Sequence, residues 1–567
     1  MKAQNHLSFI KKNHRVSHIS WQKILVIVLS LIATIWFLIR VIPKPSRAFY
    51  PCQRAAFPLA SSFVIWLVGL FAIKPIMDKI KVAFPSRIWL GTITAMLFVA
   101  IFVVGTTVYF TESTNAISRK AATEYNFVPG KSNEPKGEAK GIFPGRVVWA
   151  HDPQATKWKG NWKVNSDQYW LDENTDQKRV EAMLETTLKS LTGAKKSEDA
   201  WDYIFKYHNE KVRDLKNTGY RPGEIIAIKP NFNNVYDPVK NDNLTDVSPQ
   251  LILAMVRQLV NNVHVAQKDI VIYDIRRFMP QYLLVKIWSE FKDVRFVQVE
   301  SPKPTQPKNP GYGDYHGLEA PVLVEAISYS KGTYDKAKFI AKQVFDATYI
   351  ISMPILKAHS YPYNTMEDGD EGQTGISMCG KNHFGSIEGT WELHAAINTN
   401  QDGTKNAYSP MVDLAASPNL GAKTILYLMD ALYCGRKWKT YPVHFPNPPF
   451  NNAVEPYTNS NWPASILASF DGVALDCVGL DIYNSQTKNN IDSTGHSRIL
   501  LRANAADYLL EMAQPENAPS GTKYVQDGKP VKSLGVYEHW DSDLTRKYSR
   551  NLDPLKGNGI ELIYLPL

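Results

Sequence analysis

Two hydrophobic periods alternate along most of this chain. Short apolar runs that end in polar residues are each followed by a stretch with apolar positions three and four apart, the marks of a buried strand and of one helical face. The first such face covers Arg179 to Leu191, with apolar side chains at 180, 183, 184, 188 and 191 and Gly193 placed to end the helix. "GEIIAIKPN", Gly223 to Asn231, predicts a strand. "SPQLILAMVRQLV" after it predicts a helix capped by Ser248, with Pro249 in the first turn and Ile252, Met255, Val256 and Leu259 buried. The alternation continues through "DIVIYDI", "QYLLVKIWSEF", "VRFVQVE", "YIISMPIL", "KTILYLMDAL" and "SILASFDGVALDCVGLDIY". Strands apolar on both faces and separated by helices predict an α/β fold, a mainly parallel sheet with helices on both faces, as a soluble domain over residues 147–567.

The first hundred residues follow a different rule. Three apolar runs, Ile24 to Ile39, Phe57 to Ile73 and Ile88 to Phe110, predict a membrane anchor of three transmembrane helices within residues 1–111. Trp89 and Tyr109 stand near the ends of the third run as interfacial aromatics. With the amino terminus inside, nine Lys and Arg flank the spans on the inner side and six on the outer. The large domain is therefore expected outside the cytoplasm, held to the inner (cell) membrane by several spans. Between anchor and domain, residues 112–146 include "VPGKSNEPKGEAKGIFPGR", whose Gly, Pro and Lys content predicts a flexible linker.

Charge is split the same way. Residues 1–110 hold 13 of the 64 Lys and Arg and one of the 54 acidic residues, Asp78, so the excess of base belongs to the anchor. A domain near neutrality lacks the basic surface that nucleic acid requires, and no nucleic-acid partner is expected. The four cysteines, Cys52, Cys379, Cys434 and Cys477, form neither a CxxC pair nor a disulfide framework.

Chemistry concentrates where the strands stop. In an open parallel sheet ligands bind beyond the carboxyl ends of the strands. Lys229, Asn231, Asn233, Asp274, Lys357, His359, Asp430 and Asp471 all occupy such positions in this reading. Any one of them has a plainer explanation, because polar residues appear wherever a strand ends and Asp is a frequent helix cap. Lys229 in "IKPNFN" and Lys357 in "PILKAH" are harder to explain so, since each directly follows a buried run. "TGISMCGKNHFGSIEG" adds Lys381 and Asn382 among glycines that would let the backbone approach a ligand. It fits neither the P-loop nor the dinucleotide spacing. His359 and His394 are candidate proton carriers or metal ligands, with His383 behind them.

With these motifs on the page, "IKPNFN", "PILKAH", "TGISMCGKNHFGSI" followed by His394, and "ILASFDGVALD" resemble domain of unknown function family 362, over about Gly223 to Asn484. The resemblance implies a bacterial or archaeal protein. Many relatives carry iron–sulfur segments of CxxCxxC spacing; this chain has none, so no iron–sulfur cluster is expected.

The functional expectation is a membrane-anchored enzyme acting on a small anionic substrate, a carboxylate or phosphate, by acid/base chemistry. In it Lys229, Asn231, Asn233, Asp274, Asn382 and Asp471 bind substrate while His359, Lys357 and Lys381 carry catalysis. Lys357 and Lys381 should then line one cleft across the loop Ser360 to Gly372. A non-catalytic module that binds a ligand or partner at the membrane, and a metal-dependent enzyme built on His359 and His394, are the alternatives.

Overall fold

The computed structural model describes residues 127–567 apart from 128, 162–163, 165, 238–241, 300–317, 360–375, 398–407, 436–439, 451–460, 488–500 and 502–504. The chain divides after Ile117, and all described residues belong to the second unit, Ser118–Leu567. The three apolar runs lie outside them. Among the described residues no helix is long and apolar enough to cross a membrane.

Nine strands form the spine: β1 Arg146–His151, β2 Ile226–Pro230, β3 Ile270–Asp274, β4 Arg295–Gln298, β5 Leu318–Glu319, β6 Tyr349–Met353, β7 Thr424–Gly435, β8 Ser465–Ser469 and β9 Glu561–Pro566. Their order across the sheet is β9-β1-β8-β7-β6-β2-β3-β4-β5. The pairs from β7 through β6, β2, β3 and β4 to β5 are parallel, and β9 is parallel to β1. β8 runs antiparallel to both of its neighbours.

Strand side chains divide between two cores with the period of two that a pleated sheet imposes. Ile226, Ile228, Ile270, Ile272, Ile351 and Leu428 pack on one face. That face is covered by α1 Gln177–Thr192, α2 Ser197–Val212, α3 Pro249–Arg257 and α4 Gln281–Trp288. Ala227, Val271, Tyr273, Ile350 and Met429 pack on the other. There the cover is α5 Cys379–Asn382, α6 Thr390–Ile397, α7 Pro410–Ala416, α8 Gly472–Ser485 and α9 Asp507–Ala513. The expected helix at 179–191 is α1, ended by Gly193 at φ 74°.

The described part of the expected linker is folded onto the domain. Lys136–Gly137 pairs antiparallel with Val536–Tyr537, and the Gly141 N–H donates to Tyr207 Oη at 2.7 Å. Its glycines serve close approach: a Cβ on Gly137, at φ 84°, would lie 2.4 Å from the Gly535 carbonyl oxygen. Composition cannot separate a glycine that loosens a chain from one that lets two backbones touch. Residues 112–126 lie outside the described residues.

Candidate functional site

At the carboxyl end of β2, Lys229 is buried and its Nζ donates to Asp274 Oδ2 at 2.9 Å and to the Pro230 carbonyl at 2.7 Å. Burial pulls the Lys229 pKa down against the pull of Asp274 in the other direction. Gly385 lies directly over this pair. A Cβ there would stand 2.5 Å from Asp274 Oδ2 and 2.6 Å from Lys229 Nζ, and the Ile275 N–H donates to the Gly385 carbonyl at 2.9 Å. The glycine thus permits close approach, as the sequence suggests, but to an ion pair inside the protein.

What holds that turn in place comes from α8. Asp476 accepts from the N–H groups of Cys379 at 2.8 Å and Gly380 at 2.9 Å and from Tyr508 Oη at 2.6 Å, so the first donors of α5 are satisfied within the core. Gly380 makes room for Tyr508, whose Cε2 would be 2.5 Å from a Cβ. One turn on, Asn382 Nδ2 donates to the Lys229 carbonyl at 2.8 Å and to Ser352 Oγ at 3.0 Å, tying α5 to the ends of β2 and β6. His383 Nδ1 stands 3.3 Å from Ser386 Oγ. Burial first, and the charge of Lys229 second, hold the His383 pKa down at about 3. Asn231 Oδ1, Asn382 Oδ1 and His383 Nε2 are buried atoms without a hydrogen-bond partner.

Lys381 points to a second group. Its Nζ lies 5.5 Å from the centre of the Phe384 ring, which meets His394 edge-on at 5.1 Å. His394 Nδ1 is 2.8 Å from the Thr390 carbonyl. Its pKa falls to about 3, through burial, then Lys381, with Arg277 adding to the same side. Arg277 is fixed by a 2.9 Å bond from Nε to the Asn233 carbonyl and by stacking on Tyr236 at 4.3 Å. Its charge also reaches Lys229.

The same Asn233 turn connects to a third group. Asp246 Oδ1 accepts from the N–H groups of Asn233 at 2.6 Å and Asn234 at 3.1 Å. Burial raises its pKa to about 7, with Lys357 the main influence opposing the rise. Lys357 is fully buried on a short strand, Ile355–Lys357, that pairs with β7. Its stem presses on Gly435, where a Cβ would be 2.9 Å from Lys357 Cγ. Asp246 lines a cavity of about 200 Å³ together with Asn234, Tyr236, Asp237, Asp242 and Tyr282.

The structure therefore gathers Lys229, Asn231, Asp274 and Asn382 into one shell. Lys381 and His394 join through Arg277, and Lys357 and Asn233 meet Asp246. The segments that carry Lys357 and Lys381 lie side by side: the Ser377 N–H donates to the Lys357 carbonyl at 2.9 Å, and Ala358 bridges antiparallel to Ile376. His359 is buried, and the loop Ser360 to Gly372 expected between the cleft walls lies outside the described residues.

Asp471 has a different role from the one expected. It caps α8 by accepting from the Ala474 N–H at 2.9 Å, and its other oxygen accepts from Lys140 and Val536 N–H, each at 3.0 Å. The cause is strand direction: β8 is antiparallel, so its carboxyl end points toward the amino ends of its parallel neighbours. Asp430 likewise serves backbone N–H groups, those of Ser248 at 2.7 Å and Leu432 at 2.9 Å. Among the described residues no three His, Cys, Asp or Glu stand together as a metal site.

Three participants escape a sequence reading: Asp246, Arg277 and Ser352. Asp246 in "NLTDVSP" looks like an ordinary cap before a helix, and Arg277 in "DIRRF" like a solvated loop residue. Only the turn at Asn233 and Asn234, which Asp246 and Arg277 both bond, reveals either. No curated protein matches the chain. One protein-family model, described as Domain of unknown function (DUF362), matches residues 226–481, the segment that carries the whole polar shell from Lys229 to His394, and so supports the family that its motifs resemble.

Proposed function

We propose that this domain is an enzyme that moves a proton on a small substrate bearing a carboxylate or phosphate. The observation that carries the reading is that, among the described residues, Lys229, Lys357, Lys381 and Arg277 gather buried or half-buried positive charge at the strand ends. The two charges that act most on His394 are both positive, Lys381 and Arg277. Asp274 already serves Lys229. An anion seated near Lys381, Arg277 and His394 offsets that repulsion. Asp246 supplies the titrating group: a carboxyl with a pKa of about 7 beside a buried lysine is suited to give and take a proton at neutral pH. In this proposal Lys357 steadies the ionised form of Asp246, and Lys381 orients the substrate. The apolar runs of residues 1–111 hold the domain at the membrane, outside the cytoplasm.

The test is a panel of small carboxylates and phosphates, screened by thermal shift on the purified chain, with each binder then followed by NMR in deuterated water for exchange of carbon-bound protons. At a hundred times its Kd a binder stabilises by about 2.7 kcal/mol. Lys381→Met should remove that stabilisation. Asp246→Asn should keep binding and slow exchange by about a hundredfold or more. Binding with no exchange for any ligand would make the domain a capture module, and no anion bound at all would end the reading.

A further inference from the structure

Buried polar atoms almost always have partners, and an exception costs about 1–3 kcal/mol. Three such exceptions cluster around Lys229. Asn231, Asn382 and His383 are 7%, 1% and 2% exposed, and Asn231 Oδ1, Asn382 Oδ1 and His383 Nε2 have no partner. The Asn382 amide cannot turn to correct this, because its Nδ2 already donates to both the Lys229 carbonyl and Ser352 Oγ. Asn231 lies two residues beyond Lys229 on the same strand path, its own N–H still paired to the Met353 carbonyl at 3.0 Å, so strand alternation puts it on the Lys229 side of the sheet. His383 is close enough to Lys229 to be influenced by its charge.

We infer that Asn231, Asn382 and His383 form a subsite that accepts hydrogen bonds from a hydroxyl or neutral N–H group of the substrate, next to its anionic end. This rests on the anion reading above and narrows it to small acids that carry a donor group. Asn382 Oδ1 is an acceptor by the orientation of its amide, and a neutral imidazole that donates from Nδ1 to Ser386 Oγ presents Nε2 as an acceptor too. A metal ion could use the same oxygen and nitrogen atoms, but the charge of Lys229 reaches His383 and that of Arg277 reaches Lys229, and both oppose a cation there. An ammonium group meets the same repulsion. A neutral donor does not. Sites built to bind a hydroxyl reject the analogue that lacks it far more strongly than apolar pockets reject an extra methylene, because the buried acceptors are again left unpaired.

The experiment uses calorimetric titration of the purified full chain with two matched pairs, malate against succinate and glycerol 3-phosphate against propyl phosphate. In at least one pair the hydroxylated member should bind at least about tenfold tighter. Asn382→Ala, and separately Asn231→Leu, should bring the two members of that pair to within about twofold of each other. Asn231→Leu keeps the test sound if Asn382→Ala misfolds, since the Asn231 side chain makes no hydrogen bond that the fold needs. Equal affinity within both pairs in the unaltered protein overturns the inference while leaving the anion reading standing. Discrimination that survives both variants overturns it as well, and so does binding of magnesium or zinc alone that Asn382→Ala abolishes. If neither member of either pair binds, this inference is overturned, while the anion reading stands or falls on the wider panel of carboxylates and phosphates.

Discussion

Helix α8 and the shell around Lys229 both bury polar groups, but they treat them differently. Asp471, which caps α8, and Asp476 and Asp481 on it recur at every fifth residue, and both oxygens of each are engaged. Asp471 holds three backbone N–H groups; Asp476 holds two and Tyr508. Asp481 takes His539 Nδ1 at 2.6 Å, the Trp540 N–H at 3.0 Å and Tyr548 Oη at 2.8 Å. Around Lys229, by contrast, three buried polar atoms have nothing to bond. The difference separates two uses of buried polarity. Fully satisfied carboxylates order a core by giving distant segments one place to dock, whereas unsatisfied groups are a cost to the fold that a ligand can relieve.

The largest effect should come from breaking the satisfied side. Asp476→Ala leaves two N–H groups and a tyrosine hydroxyl buried without partners, and should cost about 3 kcal/mol or more in denaturant unfolding. A loss under about 1 kcal/mol would show that α8 does not pin α5. Next is the point where the two regions meet. Gly385→Ala forces a Cβ into the Lys229–Asp274 pair and should destabilise by about 1–3 kcal/mol, while Gly557→Ala, with nothing within 4 Å, should be silent by the same measurement.

A smaller, pH-dependent effect belongs to His539. Burial disfavours its charge, but Asp481 outweighs burial and leaves the pKa raised above the usual 6.5. Tyr537 Oη contacts its other nitrogen at 2.7 Å, and Glu538 and Tyr548 are close by. Because the folded state holds this proton more tightly than the unfolded chain does, the contribution is complete below the unfolded pKa. It is lost as pH rises through the folded value. Stability should fall as pH rises from about 6.5 through the raised folded value, and His539→Gln should flatten that slope. An unchanged slope would remove the ion pair from the explanation. The smallest effect sharpens the comparison most: Asn231→Leu should leave stability within about 0.5 kcal/mol or raise it, since it removes an unsatisfied group. A loss of about 2 kcal/mol or more would mean that Asn231 is as structural as Asp476.

Much of the scaffold was legible because burial leaves a local signature. The apolar runs at 226–230, 270–274 and 349–353 are strands, and the face at 180, 183, 184, 188 and 191 is a helix. Lys229 and Lys357 were legible as buried lysines, since charge directly after an apolar run is expensive to place without purpose. The linker at 129–146 was not, because glycine and lysine look alike in a tether and in a segment pinned by backbone contacts. Nor was the role of Asp471, which depends on the direction of one strand.

The sequence by itself determined which segments become strands and helices, and that Lys229, Asp274, Lys357, Lys381 and Asn382 would lie near strand ends or turns, because periodicity and burial act within a few residues. Tertiary structure alone decided the partners: that Lys229 is held by Asp274, that burial raises the Asp246 pKa toward neutrality, and that Asn231, Asn382 and His383 keep buried polar atoms without partners. Those outcomes depend on distances between segments tens to hundreds of residues apart and on low-dielectric surroundings that exist only once the sheet is covered.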